Sequence, residues 1–411
     1  MMDNLYVAGV GMTAFGLMPD RSIKSMVADA VGQALDDAGA AAGRVGAAVF
    51  ANVGQGILEG QATTPGQMAL RPLGFEAVPI TNVENACASA STAFYIAATQ
   101  ILAGQADIAL AVGVEKLSTE DTAARDRIFN GAMDVHDRQA VMAGLARMAE
   151  GIEAPAVSGH RSVFMDIYGY WARAHMRDFG STQRQLAAIA SKNHRHAGMN
   201  PLCQFQKQFT VDEVLAGRAL SYPLTVPMCS PYSDGAAAAV LCSRAGLDAL
   251  KQANDPVRVH AIAQCAGVNR DPRDWDRHIT RIAADQAYRQ AGLTPAQMTL
   301  AEVHDATAFG ELLNTENLRL CERADGGPAA ERGETELGGR VPVNVSGGLE
   351  SRGHPIGATG LAQIHELTLQ LRGQAGARQV ADPRYAIAEN GGGLYGVEEA
   401  TAVVSILGRM H

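Results

Sequence analysis

The sequence predicts a mixed α/β protein made of two similar halves with a helical insertion between them. Three observations carry this. Short apolar strands alternate with Ala-rich amphipathic helices along both ends of the chain. The segments ADAVGQALDDAGA (28–40) and AADQAYRQAGLTP (283–295) resemble each other, end alike in Ala-Gly, and each precedes a strand, as an internal duplication would. The intervening stretch, about 118–228, is richer in Met, aromatics and His. At 411 residues the chain has room for two or three domains. Hydrophobic residues make up 47% but aromatics only 5%, with 44 Gly, so small side chains must do much of the packing.

The elements follow in order. LYVAGVGM (5–12) is an apolar strand, and Ile23 to Ala38 has helical periodicity with Met26, Val27, Ala30, Val31, Ala34 and Leu35 on one face. Ala47–Val53 is a second strand. A third ends near Asn85, an Ala-rich helix runs to Leu102, and Ile108–Val114 is a strand apolar on both faces. After the insertion, Asn254-Asp255-Pro256 breaks the chain before strand Val257–Ala263, helix Ile279–Ala291 and strand Thr299–His304. This gives an N-terminal half over 1–250 that contains the insertion, and a C-terminal half over 251–411.

Composition excludes several classes. Charged residues at 19% exclude a mainly disordered chain, and no apolar run reaches the roughly 20 residues of a membrane helix. The N-terminus MMDNLYVAGVG has neither the basic nor the apolar region of a secretory signal. Six Cys without a CxxC pair give no zinc or disulfide framework and suit a reducing cytoplasmic setting, and no metal site is expected. A net charge of −9 disfavours nucleic acid and anionic membranes as partners. Against that background, Arg161–Lys207 carries seven basic and two acidic residues. It is either a solvated helical surface or a landing site for an anionic substrate group. Gly9-Val-Gly11-Met-Thr-Ala14 fits a dinucleotide pattern, but Pro19 to Ser22 separate it from the next helix, so it reads as a tight turn.

Four loops carry chemistry. Glu84-Asn85-Ala86-Cys87-Ala88-Ser89 sets a thiol where a strand gives way to a small-residue helix. There a helix N-terminus would favour thiolate and its free N–H groups could hold an oxyanion; the plainer alternative is a buried structural cysteine. Val303-His304-Asp305 ends a strand. Gly353-His354-Pro355-Ile356-Gly357 closes a Gly-rich loop, with Pro355 suited to a first helical turn that would put His354 at a helix N-terminus. Glu389-Asn390-Gly391-Gly392-Gly393 follows strand Tyr385–Ala388. Four strand-end loops in a duplicated α/β chain are the expected makeup of one shared site.

At these residues the sequence resembles the thiolase superfamily over essentially its whole length. Gly353-His354-Pro355-Ile356-Gly357 and Ser233-Asp234-Gly235-Ala236-Ala237 match its signatures, and Cys87 matches its acylated cysteine. His304-Asp305 with Asn344 and Ser346-Gly347-Gly348 is more similar to the sterol-carrier-type and archaeal acetoacetyl-CoA thiolases than to the biosynthetic type. The resemblance implies a five-layer αβαβα fold, a helical loop domain at 118–228 that binds coenzyme A, homodimers or homotetramers, and a role in lipid metabolism. It implies no tightly bound cofactor and coenzyme A thioesters as substrates. Ser230 matches a coenzyme-contacting serine, and Arg173, Arg177, Arg184 and Lys192 become candidates for the coenzyme's phosphates.

One departure is plain. The family's second catalytic cysteine lies in a C-x-G loop or just after His-Asp, and these positions here hold Glu389 and Ala306-Thr307. The expected chemistry has Cys87 acylated, His354 moving the thiol proton, and His304 donating to a thioester oxygen. The N–H groups of Cys87 and Gly391 would form an oxyanion hole, and Glu389 would replace the missing acid/base. The leading expectation is an acyl-CoA C-acyltransferase acting on 3-oxoacyl-CoA. The alternatives are a thiolase-like acyltransferase or retro-aldolase subunit with an OB-fold zinc-ribbon partner, and a non-catalytic acyl-CoA-binding or assembly protein.

Overall fold

The computed structural model describes residues 4–250 and 254–410, so the boundary expected at 250/251 falls beside residues outside the described set. The strands are β1 Leu5–Met12, β2 Ala47–Ala51, β3 Ile80–Val83, β4 Ile108–Glu115, β5 Ala219–Ser221, β6 Leu224–Thr225, β7 Gly235–Ser243, β8 Val257–Ala266, β9 Leu300–Glu302, β10 Tyr385–Gly392 and β11 Thr401–Gly408. Nine of them form one sheet in the order β3-β2-β4-β7-β1-β8-β11-β10-β9, while β5 and β6 form a small hairpin in the insertion. The first five and last four strands are the two halves. They meet where β1 pairs with β8 through Tyr6↔Arg258 and Val7↔Val257.

Alternation along the strands builds the layers. Inward residues of both halves (Val7, Ala111, Ala239, Val259, Ala388 and Val403 among them) share one core with helices Ser89–Leu102 and Thr359–Leu371. Outward residues of the first half pack on helix Ile23–Ala38, and those of the second on helix Ile279–Ala291. The result is helix, half-sheet, paired helices, half-sheet, helix: the five layers expected. Both outer helices end on a left-handed glycine, Gly39 or Gly292, whose N–H bonds back to the last turn. Small residues allow the close packing. A Cβ on Gly113 of β4 would lie 2.2 Å from the Gly357 carbonyl oxygen. The insertion has its own core, in which Ile167 and Trp171 of helix Val163–Phe179 and Leu186 and Ile189 of helix Gln183–Ala197 meet Phe309 and Leu312.

Two local expectations change. Strand β9 is three residues, not six, because Val303 and His304 leave it for the site. The helix after His354 begins at Thr359, not at Pro355. Residues 355–358 form a tight turn closed by Ala358 N–H to the Pro355 carbonyl at 2.8 Å.

Candidate active site

Cys87 sits on a strained turn before helix Ser89–Leu102. Ala86 takes a left-handed φ of 48°, a conformation that costs a side-chain-bearing residue about 1–3 kcal/mol. Its neighbours hold it there: Glu84 accepts the Ala86 N–H at 2.5 Å and the Ser89 hydroxyl donates to the Ala86 carbonyl at 2.6 Å. Gly392, at the end of β10, presses on the same turn. A Cβ there would lie 2.3 Å from the Asn85 oxygen and 2.7 Å from the Ala88 nitrogen.

His354 Nε2 lies 3.3 Å from Cys87 Sγ, and its Nδ1 lies 2.7 Å from the Thr359 hydroxyl. That hydroxyl donates its one proton to the Pro355 carbonyl at 3.1 Å. It therefore accepts from Nδ1–H, which leaves Nε2 as a bare acceptor facing the thiol. Burial, chiefly, pushes the Cys87 thiol up to about 12 and the His354 imidazole well below 6.5. The expected thiolate-favouring effect of the helix end is outweighed by desolvation and by Glu84. The resting pair is a thiol and a neutral imidazole, poised for proton transfer on attack.

His304 completes the group: its ring lies 5.2 Å from that of His354, and the donor atoms of Cys87, His304 and His354 lie within 4.8 Å of one another. That closeness would also suit a three-ligand metal set, which the sequence gives no reason to expect. Neither His304 ring nitrogen finds a hydrogen-bond partner among the described residues, and burial lowers its pKa to about 4. It is neutral, with an N–H to offer a substrate oxygen. Asp305 accepts the Leu349 N–H at 2.7 Å and so fixes the loop that carries His354.

Residues 5–214 match the thiolase N-terminal domain and residues 268–409 the thiolase C-terminal domain-like family. The chain belongs to the thiolase family. It is 37% identical to an acetyl-CoA acetyltransferase of Methanothermobacter thermautotrophicus, covering 99% of this chain and 100% of that one. It is 34% identical to human sterol carrier protein 2 over 94% of this chain and 69% of the relative. It is 33% identical to the benzoylsuccinyl-CoA thiolase subunit BbsB of Thauera aromatica over 95% and 94%. Among solved structures, the fold matches an Ltp2-ChsH2(DUF35) aldolase with TM-score 0.76 at 21% identity, covering 99% and 98% of the two chains. It matches human mitochondrial 3-ketoacyl-CoA thiolase with TM-score 0.72 at 16% identity over all of both chains.

Within this thiolase, a cavity of about 510 Å³ opens beside the sulfur, lined by Cys87, His304, His354 and Ser230. Aromatic residues of the insertion, including Phe164, Tyr168 and Trp171, make much of its wall. Two loop residues are displaced from expectation. Gly392 and Gly393 line the cavity, and Gly391 does not. Glu389 does not line it either: alternation in β10 turns Glu389 outward and Asn390 inward, where Asn390 accepts the Ser91 hydroxyl at 2.8 Å. The Glu389 carboxylate instead accepts the His304 backbone N–H at 3.0 Å and the Thr280 hydroxyl at 3.4 Å. It holds His304 from behind.

The four basic candidates are a second correction, since none lines the cavity. Arg173 donates to the Tyr222 carbonyl at 2.5 Å, Arg177 to those of Met148 and Glu150, and Arg184 pairs with exposed Asp212. Lys192 is 1% exposed, paired with Glu311 and bonded to the Val343 carbonyl. The cationic side chains on the cavity are Arg161, Lys207 and Arg218, with the imidazoles of His160 and His194 beside them. Among the buried cavity groups that sequence reasoning missed are Tyr168 and Glu399. Neither stands in a motif, and Glu399 follows another glutamate in a loop, so no pattern marks which one turns inward.

Proposed function

We propose that this enzyme is an acyl-CoA C-acyltransferase that forms or cleaves 3-oxoacyl-CoA through an acyl group carried on Cys87. The observation that carries this is the Cys87–His354–Thr359 relay, with the imidazole's free nitrogen 3.3 Å from the sulfur. As Cys87 attacks a thioester carbonyl, His354 takes its proton and passes it to the departing coenzyme thiolate. The acyl group then rests on sulfur. In the second half-reaction, an α-carbon of a second acyl-CoA attacks it, with His304 donating to that substrate's thioester oxygen; such a donor is worth about 3–4 kcal/mol. Lys207 and Arg218 are suited to the coenzyme's phosphates, and the aromatic wall to an apolar acyl group.

The test is product analysis of 3-oxoacyl-CoA mixed with free coenzyme A, and of the reverse mixture, with wild type and Cys87→Ala. Chain-shortened and chain-lengthened thioesters should form with wild type only. A second reading rests on one observation: Ala306-Thr307 and Glu389 replace the second cysteine at both family positions. It is a retro-aldolase or acyltransferase subunit completed by an OB-fold partner. Turnover that appears only on addition of such a partner would select it.

A further inference from the structure

A C–C bond-forming thiolase needs a group to remove the α-proton of the second acyl-CoA, and neither family position for it holds a cysteine. Three carboxylates send their charge to Cys87: Glu84, Glu115 and Glu399. Glu84 accepts the Ala86 N–H and does not line the cavity. Glu115 is occupied with the Val53 and Gly54 N–H groups and the Asn52 amide. Glu399 alone of the three lines the cavity with Cys87, His304 and His354. The other carboxylate on the cavity, Glu350, is not one of the three, and burial together with Asp305 and Glu311 holds it well above the usual carboxylate range, which makes it a poor base.

The β10–β11 loop aims Glu399. Its neighbour Glu398 is anchored by Arg270 at 2.7 Å and by the Ile279 N–H at 3.2 Å. Glu399 folds back over Gly391, where a Cβ would lie 2.9 Å from Glu399 Cγ. It is 4% exposed, and its Oε2 has no hydrogen-bond partner among the described residues. His278 Nδ1 faces the Thr280 N–H at 3.2 Å and the Asn317 amide at 3.0 Å, so its proton sits on Nε2, 3.4 Å from that Oε2.

We propose that Glu399 is the acid/base of the C–C step. In condensation its carboxylate takes a proton from the α-carbon, and the enolate oxygen rests on His304. The α-carbon bonds to the acyl carbonyl carbon, the C–S bond to Cys87 breaks, and the thiolate leaves. The proton on Glu399 then returns to that sulfur, which restores carboxylate and thiol. Cleavage runs the same steps backward. This rests on the acyl-cysteine reading above. Burial, the neighbouring Glu398 and the opposing pull of Arg270 leave Glu399 at about 7, suited to both directions at neutral pH. Glu389, His278, Tyr168, His304 and Cys87 are the other titratable groups about it, and His278 and His304 are held neutral by burial.

The test reads the two half-reactions apart, using acetyl-CoA and propionyl-CoA. Acylation of Cys87 is read by intact mass, and α-hydrogen exchange by mass shift of the thioester in deuterated water. For Glu399→Gln, acylation should stay within a few-fold of wild type while exchange falls about 100-fold or more. Glu399→Asp should restore part of the exchange, and wild-type exchange should rise with pH through about 7 as the carboxyl ionises. Glu389→Gln disturbs the hold on His304, so it should lower exchange, but by less than Glu399→Gln does. Wild-type exchange in Glu399→Gln, or its loss in Glu389→Gln alone, would overturn the assignment. So would an acylated wild type that exchanges nothing, although the acyl-cysteine reading would then survive. A wild type that is never acylated would remove both.

Discussion

In the proposed chemistry Cys87 and His354 react from their neutral forms, and this shapes the response to pH. A base whose pKa is lowered stays unprotonated as pH falls, so acylation should hold steady from pH 9 to below the ordinary histidine value of 6.5. Pre-steady-state acylation over that range measures it, and a fall centred at 6.5 would contradict it. Removing the base changes the picture. His354→Ala should slow acylation about 100-fold or more at pH 7. Recovery should come only as pH climbs toward 12, where burial has moved the Cys87 thiol. Thr359→Val tests the tautomer argument, since it leaves a buried Nδ1–H unpaired at a cost of about 1–3 kcal/mol. Acylation should slow about tenfold, with circular dichroism unchanged.

Elements matter through where they end. The β10 terminus and the Cys87 turn touch backbone to backbone at Gly392. Gly392→Ala must push one away from the other, and we expect it to abolish acylation more completely than it lowers thermal stability. In the insertion, charge alone is a poor guide to role. Lys192 lies under Glu311, so Lys192→Ala should destabilise the protein by about 3–5 kcal/mol, as breaking a buried pair does, read by denaturant unfolding. Charge reversal at Lys207 and Arg218 should instead raise the KM for acyl-CoA several-fold and leave that for a pantetheine thioester alone. Equal effects on the two substrates would remove these residues from phosphate binding.

Across the whole molecule, the sequence was most legible where physics is local. Local pattern located β1 and the helices Ile23–Ala38 and Ile279–Ala291 to the residue, because β1 is an apolar run buried on both faces and each helix presents one apolar face. Motifs with special backbone needs located Cys87, His304 and His354. What stayed hidden depends on side-chain direction and burial, which only the assembled layers decide. Glu389 and Glu399 are both glutamates at one end of the second half-sheet, yet strand alternation sends the first behind His304 and the loop sends the second into the cavity. Desolvation at the junction of five layers likewise reverses the thiol pKa that a helix terminus alone would give. In the proposed function, these layers converge to make Cys87 an acyl carrier. Its most direct test is intact mass followed by peptide mapping after mixing with acetyl-CoA and longer or aromatic acyl-CoAs. One acyl adduct should form, mapped to Cys87 and absent from Cys87→Ala. An adduct of equal extent on Cys87→Ala, or none on wild type with any thioester, would contradict it.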